Sequence, residues 1–226
     1  MKVTPSITYA VTVCNEIQEI QKLISHLLKY KKQDDSIVVL FDEKGGTEDV
    51  EEFLRANSIN GEFNWHKGKF DGHFANWKNK LNSLCNGDYI FQVDADEIPH
   101  ETLMYNLPEI CNWNSGVDTF IVSRINIVNG ITPEHIKRWG WTQNEEGWIN
   151  FNDPQLRVYK NSPNIKWEGK VHERIVGYKT IANLPINQEY CLRHIKEIAR
   201  QEKQNSYYDK LLAENKGNRL DYDIHL

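Results

Sequence analysis

DYIFQVDADE, residues 88–97, is the stretch on which the fold turns. Asp88 to Val93 reads as a buried strand, and it delivers Asp94 to its C-terminal end. Asp96 and Glu97 follow in a tight turn. Ligands of open α/β sheets collect at the carboxyl ends of the strands, so an acidic turn placed here has a functional reading that an unplaced one lacks. As a turn residue, Asp96 is expected to be exposed and to carry little packing.

Upstream, Ile7 to Cys14 is rich in β-branched and aromatic residues and reads as a first strand. Asn15 with Gln18 has the form of a capping box, and Ile17, Ile20, Ile24, Leu27 and Leu28 keep helical spacing behind it. Ser36 to Phe41 is a continuous apolar run ending in Asp42. A Gly-Gly turn then leads to Thr47, a good N-cap, and to a helix carrying Val50, Phe53 and Leu54. Glu62 to His66 is a short third strand. Phe74, Trp77, Leu81, Leu84 and Cys85 mark another helix, with Gly87 placed as its C′ residue. This β-α-β-α order is the signature of a parallel sheet covered by helices. It brings Asn15-Glu16, Asp42-Glu43 and Asp94 to Glu97 to one edge.

Downstream the pattern is less regular. His100 to Cys111 is helical with an interruption at Pro108, and Val117 to Val128 is a long strand. A tryptophan-rich loop, Arg138 to Ile149, precedes strands at Gln155 to Tyr159 and Val171 to Val176. Ile195 to Asn215 reads as a long polar helix with an exposed tail.

The 226 residues are 39% hydrophobic and 26% charged, enough for one sizeable α/β core. Lys plus Arg number 27 against 32 Asp plus Glu, and the net charge of -5 gives no general case for nucleic-acid binding. The four cysteines (Cys14, Cys85, Cys111 and Cys191) have no CxxC or zinc-like spacing and read as reduced, buried thiols. No segment approaches the ~20 apolar residues that span a bilayer. Met1 to Cys14 lacks a long h-region and a cleavage site, so it reads as a strand and not a signal peptide. The expectation is a cytoplasmic protein, with any membrane association coming through its acceptor or a partner.

Carboxylates at a strand end suit a divalent cation bound to oxygen ligands, Mn²⁺ or Mg²⁺, which bridges to substrate phosphates and acts as a Lewis acid. Asp94-Ala95-Asp96 is therefore read as the anchor of a nucleotide sugar's diphosphate. A calcium loop would need Gly at its sixth position, and DADEIPH has none. Phosphate-transferring aspartates usually follow the first strand, and a sugar nucleotidyltransferase would carry a Gly-rich stretch where this chain has VTVCNE.

Further motifs lie along the chain: Cys14-Asn15-Glu16, Asp42, Lys78-Asn79, Gly87-Asp88, DADE, Trp167 to Glu173 (WEGKVHE) and His194. In these the sequence resembles the family 2 glycosyltransferases, in particular the bacterial group that includes lipopolysaccharide-core and peptide glycosyltransferases. The resemblance runs from about Ile7 to His194. It departs from the family pattern at Lys78, where Arg is usual, and at His194-Ile195-Lys196, which stands for H-Y-G. A Lys is a point charge without the bidentate fork of Arg.

The resemblance implies a GT-A fold, an α/β domain with a central mixed, mostly parallel sheet flanked by helices. One domain would span residues 1–226. Residues 1–99 would bind the nucleotide sugar, UDP-linked by family tendency, 100–194 the acceptor, and 195–226 would form a C-terminal helix and tail. Thr12 to Glu16 (with Asn15) would line the nucleoside pocket and Asp42 would meet the base. Lys78 would lie near the diphosphate, and Asp94, Asp96, His172 and His194 would form the metal shell. Inverting transfer needs a carboxylate to take the acceptor's proton. Glu173 is the candidate, with Asp153 its rival. Trp139, Trp141 and Trp148 offer flat faces to sugar C–H groups of a glycan, lipid-linked or protein acceptor, although core packing is expected for at least one of them. The alternatives are a nucleotide-sugar- or carbohydrate-binding protein without catalysis, and a sugar-phosphate nucleotidyltransferase.

Overall fold

A computed structural model describes residues 4–214, of which 207–214 are described as helical backbone only. Residues 1–3 and 215–226, the latter holding the last residue of the expected helix and its tail, lie outside the described residues. In chain order the elements are β1 (Ile7–Val13), α1 (Ile17–Tyr30), β2 (Ser36–Asp42), α2 (Glu48–Asn57), β3 (Asn64–Gly68), α3 (Phe74–Asn82), β4 (Tyr89–Asp94), β5 (Glu97–Pro99) and α4 (Glu101–Trp113). They continue with β6 (Thr119–Asn129), α5 (Pro133–Trp139), β7 (Ile149–Lys160), β8 (Lys166–Glu168), β9 (Arg174–Val176), β10 (Ile181–Asn183), β11 (Leu192–Glu197) and α6 (Ile198–Glu214).

One nine-stranded sheet runs in the order β3-β2-β1-β4-β7-β6-β11-β5, with β10 beside β6. The first four strands are parallel, β7 is antiparallel to both β4 and β6, and β11 returns parallel to β6. Alternation along the strands divides two apolar layers. Ile7, Tyr9, Val11, Val39, Phe41, Phe91 and Val93 face α1, α2 and α4. Ala10, Val38, Leu40 and Ile90 face α3 and the β8–β9 hairpin, through Trp77, Leu81, Trp167 and Ile175. Fully burying one such side chain contributes roughly 1.5–3 kcal/mol, so these two layers are what hold the sheet's edge in register.

Several local expectations are corrected. Glu16, not Asn15, caps α1, and no side-chain capping bond forms, because the Glu16 carboxylate turns back to accept the Cys14 and Asn15 amides. Helix α3 ends before Gly87. That glycine lies against β1, where a Cβ would come within 2.8 Å of Thr8 N, and its amide donates to Thr8 Oγ1. Helix α4 runs through Pro108 to Trp113. The polar segment Leu192–Glu197 is a strand, so the last helix starts at Ile198. All four cysteines are free thiols. Two are buried and two half-buried, and burial pushes Cys85 and Cys111 up to about 12, which leaves them unreactive.

His26 on α1 donates from Nε2 to the Pro99 carbonyl at 2.7 Å, tying α1 to the end of β5. Burial lowers its imidazole pKa from the ordinary value of 6.5. Below that value the unfolded chain takes up a proton that the folded chain resists, so stability falls as pH falls, until the folded pKa is passed. Urea denaturation between pH 8 and 5 is expected to show this loss in the wild type and a flatter profile in His26→Gln. Parallel profiles would remove His26 from the account.

Candidate active site

The parallel register aligns the strand ends. Thr12 lies between Leu40 and Asp94, and Asp42 ends β2 opposite Gly68. The Asp42 carboxylate accepts three backbone amides, from Lys44, Gly45 and Phe70, at 3.0–3.2 Å. It therefore shapes the loop after β2.

Asp94 and Glu97 are held by a charged network that the apolar strands around it make possible. Asp94 Oδ2 accepts from Arg157 Nη2 at 2.9 Å, and Asp94 Oδ1 from Gln92 Nε2 at 2.7 Å. Arg157 also donates to Gln92 Oε1 and, at 2.7 Å, to Glu97 Oε1. Glu97 has no exposure at all. It takes a second guanidinium, Arg124 Nη1, at 2.9 Å, and the Asp94 amide on its other oxygen. Burial would raise the Asp94 pKa, but Arg157 and Lys78 outweigh it and hold the carboxyl far below the usual range. Burial likewise works against charge on Arg157, and Asp94 and Glu97 restore it. The third acid of DADE thus faces inward as an organiser.

Asp96 is not an exposed turn residue. Its side chain is 13% exposed, and its Oδ2 meets His194 Nε2 at 3.3 Å, Lys196 Nζ at 3.5 Å and Arg200 Nη2 at 3.9 Å. Burial pushes its pKa up, yet His194 and Lys196 keep it well below the ordinary value. Strand β11 supplies His194 and Lys196, and its register sets His194 between Asn126 of β6 and Glu97 of β5. Arg200, in the first turns of α6, reaches Glu16 at 3.1 Å and pairs with Glu19.

The segment WEGKVHE docks on α3. The Asn79 side chain pairs with both the amide and the carbonyl of Trp167, each at 2.8 Å. The first amides of α3, from Phe74 and Ala75, donate to the Lys170 and Gly169 carbonyls. Gly169 has φ +106, a conformation that any other residue would adopt only with strain. This turn brings Glu173 Oε1 to 2.7 Å from Lys78 Nζ, which also lies 4.3 Å from the centre of the Trp167 ring. The strand expected from Val171 begins only at Arg174. His172 sits in the left-handed region, so the alternation of a strand does not govern His172 and Glu173.

The four expected metal ligands are not assembled. Among the described residues no group of three or more His, Cys, Asp or Glu side chains is arranged to hold an ion. Asp96 and His194 are together, whereas Asp94 turns to Arg157. The pair already has positive charge beside it, because Lys196 and Arg200 approach the same Asp96 oxygen. Asn126 Nδ2 donates to Asp153 Oδ2 at 2.8 Å, so its Oδ1 is the atom facing His194 Nδ1, also at 2.8 Å. A carbonyl oxygen there needs a proton on Nδ1. The other ring nitrogen, Nε2, faces the Asp96 carboxylate at 3.3 Å. One oxygen and one nitrogen donor are within the usual chemistry of Mn²⁺ and Mg²⁺, whose other ligands are commonly phosphate oxygens and water.

Asp153 is occupied elsewhere. Arg124, Asn126 and Gln155 take its two oxygens at 2.6–2.9 Å, and despite burial Arg124 and Asn126 hold its pKa down. Trp139, Trp141 and Trp148 are half-buried, and none belongs to either core layer. Trp139 packs on Trp141 and stacks on His135 of α5, a helix with no buried residue, and Trp148 meets Phe151 edge-on.

The sequence pattern of glycosyl transferase family 2 matches residues 8–173, nearly three-quarters of the chain, from β1 through Glu173, with β11 and its His194 outside it. The chain belongs to glycosyl transferase family 2. Among solved structures this family 2 chain is similar to TarS of S. aureus. Residues 1–349 of that protein in complex with UDP-GlcNAc are 14% identical with a TM-score of 0.58, over 84% of this chain and 58% of that one. The UDP complex of the same TarS fragment gives 12% identity and 0.56, over 84% and 60%. This chain thus spans under two-thirds of the TarS fragment. The likeness shows the fold, a GT-A arrangement with a mixed, mostly parallel sheet between helices. No curated protein matches the chain in sequence.

Sequence reasoning missed Arg157, Arg124, Asn126, Lys196 and Arg200. Only Arg157 left a signal, as the single charge at the centre of the apolar run Leu156 to Tyr159.

Proposed function

We propose that the chain transfers a sugar from a nucleoside-diphosphate sugar, UDP-linked, to an acceptor hydroxyl, with inversion. The observation that carries this reading is the Asp96–His194 pair beside Asp94 at the carboxyl edge of β4. Residues 1–99 form the donor half, where Thr12, Asn15, Glu16 and Asp42 border the nucleoside and Lys78 and Asp94 to Asp96 border the diphosphate. Residues 100–194 form the acceptor half, where Trp139, Trp141 and Trp148 present ring faces to a glycan, lipid-linked or protein acceptor. A divalent ion held by Asp96 and His194 would stabilise the leaving diphosphate as a Lewis acid.

The acceptor oxygen attacks the anomeric carbon from the face opposite the diphosphate and passes its proton to Glu173. The bond to the diphosphate oxygen breaks, and the nucleoside diphosphate departs with the electron pair. Glu173 is favoured over Asp153 as base because Asp153 already accepts from three side chains and has a depressed proton affinity. The Lys78 ammonium fixes the Glu173 carboxylate and, near Asp94, adds positive charge to the donor side. Family membership supports transfer over nucleotidyl chemistry. Among the described residues no helix is long and apolar enough to cross a membrane. A cytoplasmic location, with membrane contact through the acceptor, fits that donor.

The test is Asp96→Asn, which keeps the side chain's shape and one carbonyl oxygen for Lys196, 8% exposed, while removing the negative charge. Mn²⁺-stimulated hydrolysis or transfer from UDP-sugars should fall by about 10²-fold or more when assayed well below the variant's own melting temperature. Equal Mn²⁺ stimulation in mutant and wild type would exclude this role. A thermal-shift screen of nucleotide sugars with and without Mn²⁺ identifies the donor, since a ligand that binds only the folded state raises its stability.

A further inference from the structure

The family pattern ends at Glu173, yet the turn after β1 is held by a residue of α6. Arg200 spreads its guanidinium over three carboxylates. Nη2 donates to Glu16 Oε1 at 3.1 Å and lies 3.9 Å from Asp96 Oδ2, while Nη1 pairs with Glu19. Glu16 and Glu19 stand at the start of α1 and Asp96 in the DADE turn, so one side chain spans both walls of the donor edge. Helix α6 is itself anchored on the other half of the chain. Lys196 of β11 donates to Gln204 at 2.6 Å, and Glu202 lies 3.5 Å from His135 Nε2 on α5.

The two oxygens of Glu16 do different things. Oε2 accepts the Cys14 and Asn15 amides at 2.8 and 3.0 Å and gives the turn its shape, and Oε1 takes Arg200. Without the guanidinium, the three carboxylates it gathers would repel one another at short range. The Glu16 side chain is 20% exposed, so it can relieve that repulsion by rotating into water, and the two amides would lose their acceptor. We infer that Arg200 is a positioning residue of the donor site, acting through Glu16 to hold the Cys14–Glu16 turn in the shape that receives the nucleoside. The inference rests on the reading that Thr12 to Glu16 border the nucleoside, and no cation enters it.

The test uses the full chain, with uridine and UDP as probes, their affinities measured by calorimetry in metal-free buffer. Uridine carries no phosphate, so its affinity reads the shape of the turn and not the charge beside the diphosphate. Arg200→Met should bind uridine about 3–10-fold more weakly, the scale of partly exposed ion pairs acting together, and UDP should weaken by the same factor. Arg200→Lys should fall between that variant and the wild type, since one ammonium cannot hold Glu16 and Glu19 as the planar fork does. Should Arg200→Met fail to fold, the Lys variant carries the same comparison. In a Glu16→Gln background the neutral amide has no charge to repel. Adding Arg200→Met there should cost little further, a non-additivity that a general loosening of α6 would not produce.

Wild-type uridine affinity in the Arg200 variants overturns the inference. A loss confined to UDP also overturns it, and would make Arg200 a charge acting on the diphosphate. Additive losses in the double variant do the same, because the effect would then bypass Glu16. Asn15→Trp tests the underlying reading, since an indole at that exposed turn position should block the nucleoside. If Asn15→Trp loses uridine while Arg200→Met keeps it, only the role of Arg200 is wrong. If both keep it, the nucleoside lies elsewhere and the inference falls with it.

Discussion

Glu173→Gln is expected to lower turnover by about 10²–10⁴-fold, the range contributed by a positioned general base. The amide keeps the shape of the side chain but accepts no proton, so the acceptor oxygen must attack while still carrying its own. Donor affinity should not fall. The substitution frees the Lys78 ammonium, 2.7 Å away in the wild type, for the donor's phosphates. Single-turnover rates and calorimetric UDP-sugar binding on the same preparation read the two effects separately. Turnover within twofold of the wild type would place the base elsewhere. Weakened donor binding with normal turnover would make Glu173 a partner of Lys78 and no more.

Arg157→Met should destabilise the chain by about 3 kcal/mol, the lower end of the cost of breaking a buried ion pair from one side. For a chain of this size that is a fall of roughly 6–12 °C in melting temperature. Methionine fills much of the volume but leaves Glu97, which has no exposure, with Arg124 as its remaining guanidinium. Asp94 loses the bond that turns it toward β7. Donor binding should therefore weaken even at temperatures where the variant is folded. A melting temperature within 2 °C of the wild type would mean that Arg124 alone neutralises Glu97, and that the Arg157 network adds nothing to the fold.

The long elements were legible for a simple reason. In β1, β2 and β4, and in α1 and α3, the apolar spacing is set by which side of the sheet or helix each residue faces, and that spacing survives in the one-dimensional string. Strands β5, β10 and β11 left no such trace. Two of them are three residues long, too short for alternation to show, and β11 buries Lys196 while leaving Ile195 exposed, so its apolar residues do not mark its inward face. Leu192–Glu197 is extended only because β6 and β5 offer it a ladder on both sides, which its own residues do not announce.

The sequence by itself determined that a βαβ sheet puts Asp42 and the DADE turn at one edge, and that WEGKVHE belongs with them. Local propensity, hydrophobic period and a family pattern are all properties of neighbouring residues. Only the tertiary structure decided what each acid does there: Glu97 buried as an organiser, Asp94 turned to Arg157, Asp96 set among His194, Lys196 and Arg200, and Asp153 committed to Asn126. Those assignments rest on ion pairs and hydrogen bonds between residues some 30 to 100 positions apart. Their strength depends on burial and distance, and neither quantity exists until the sheet has closed around them.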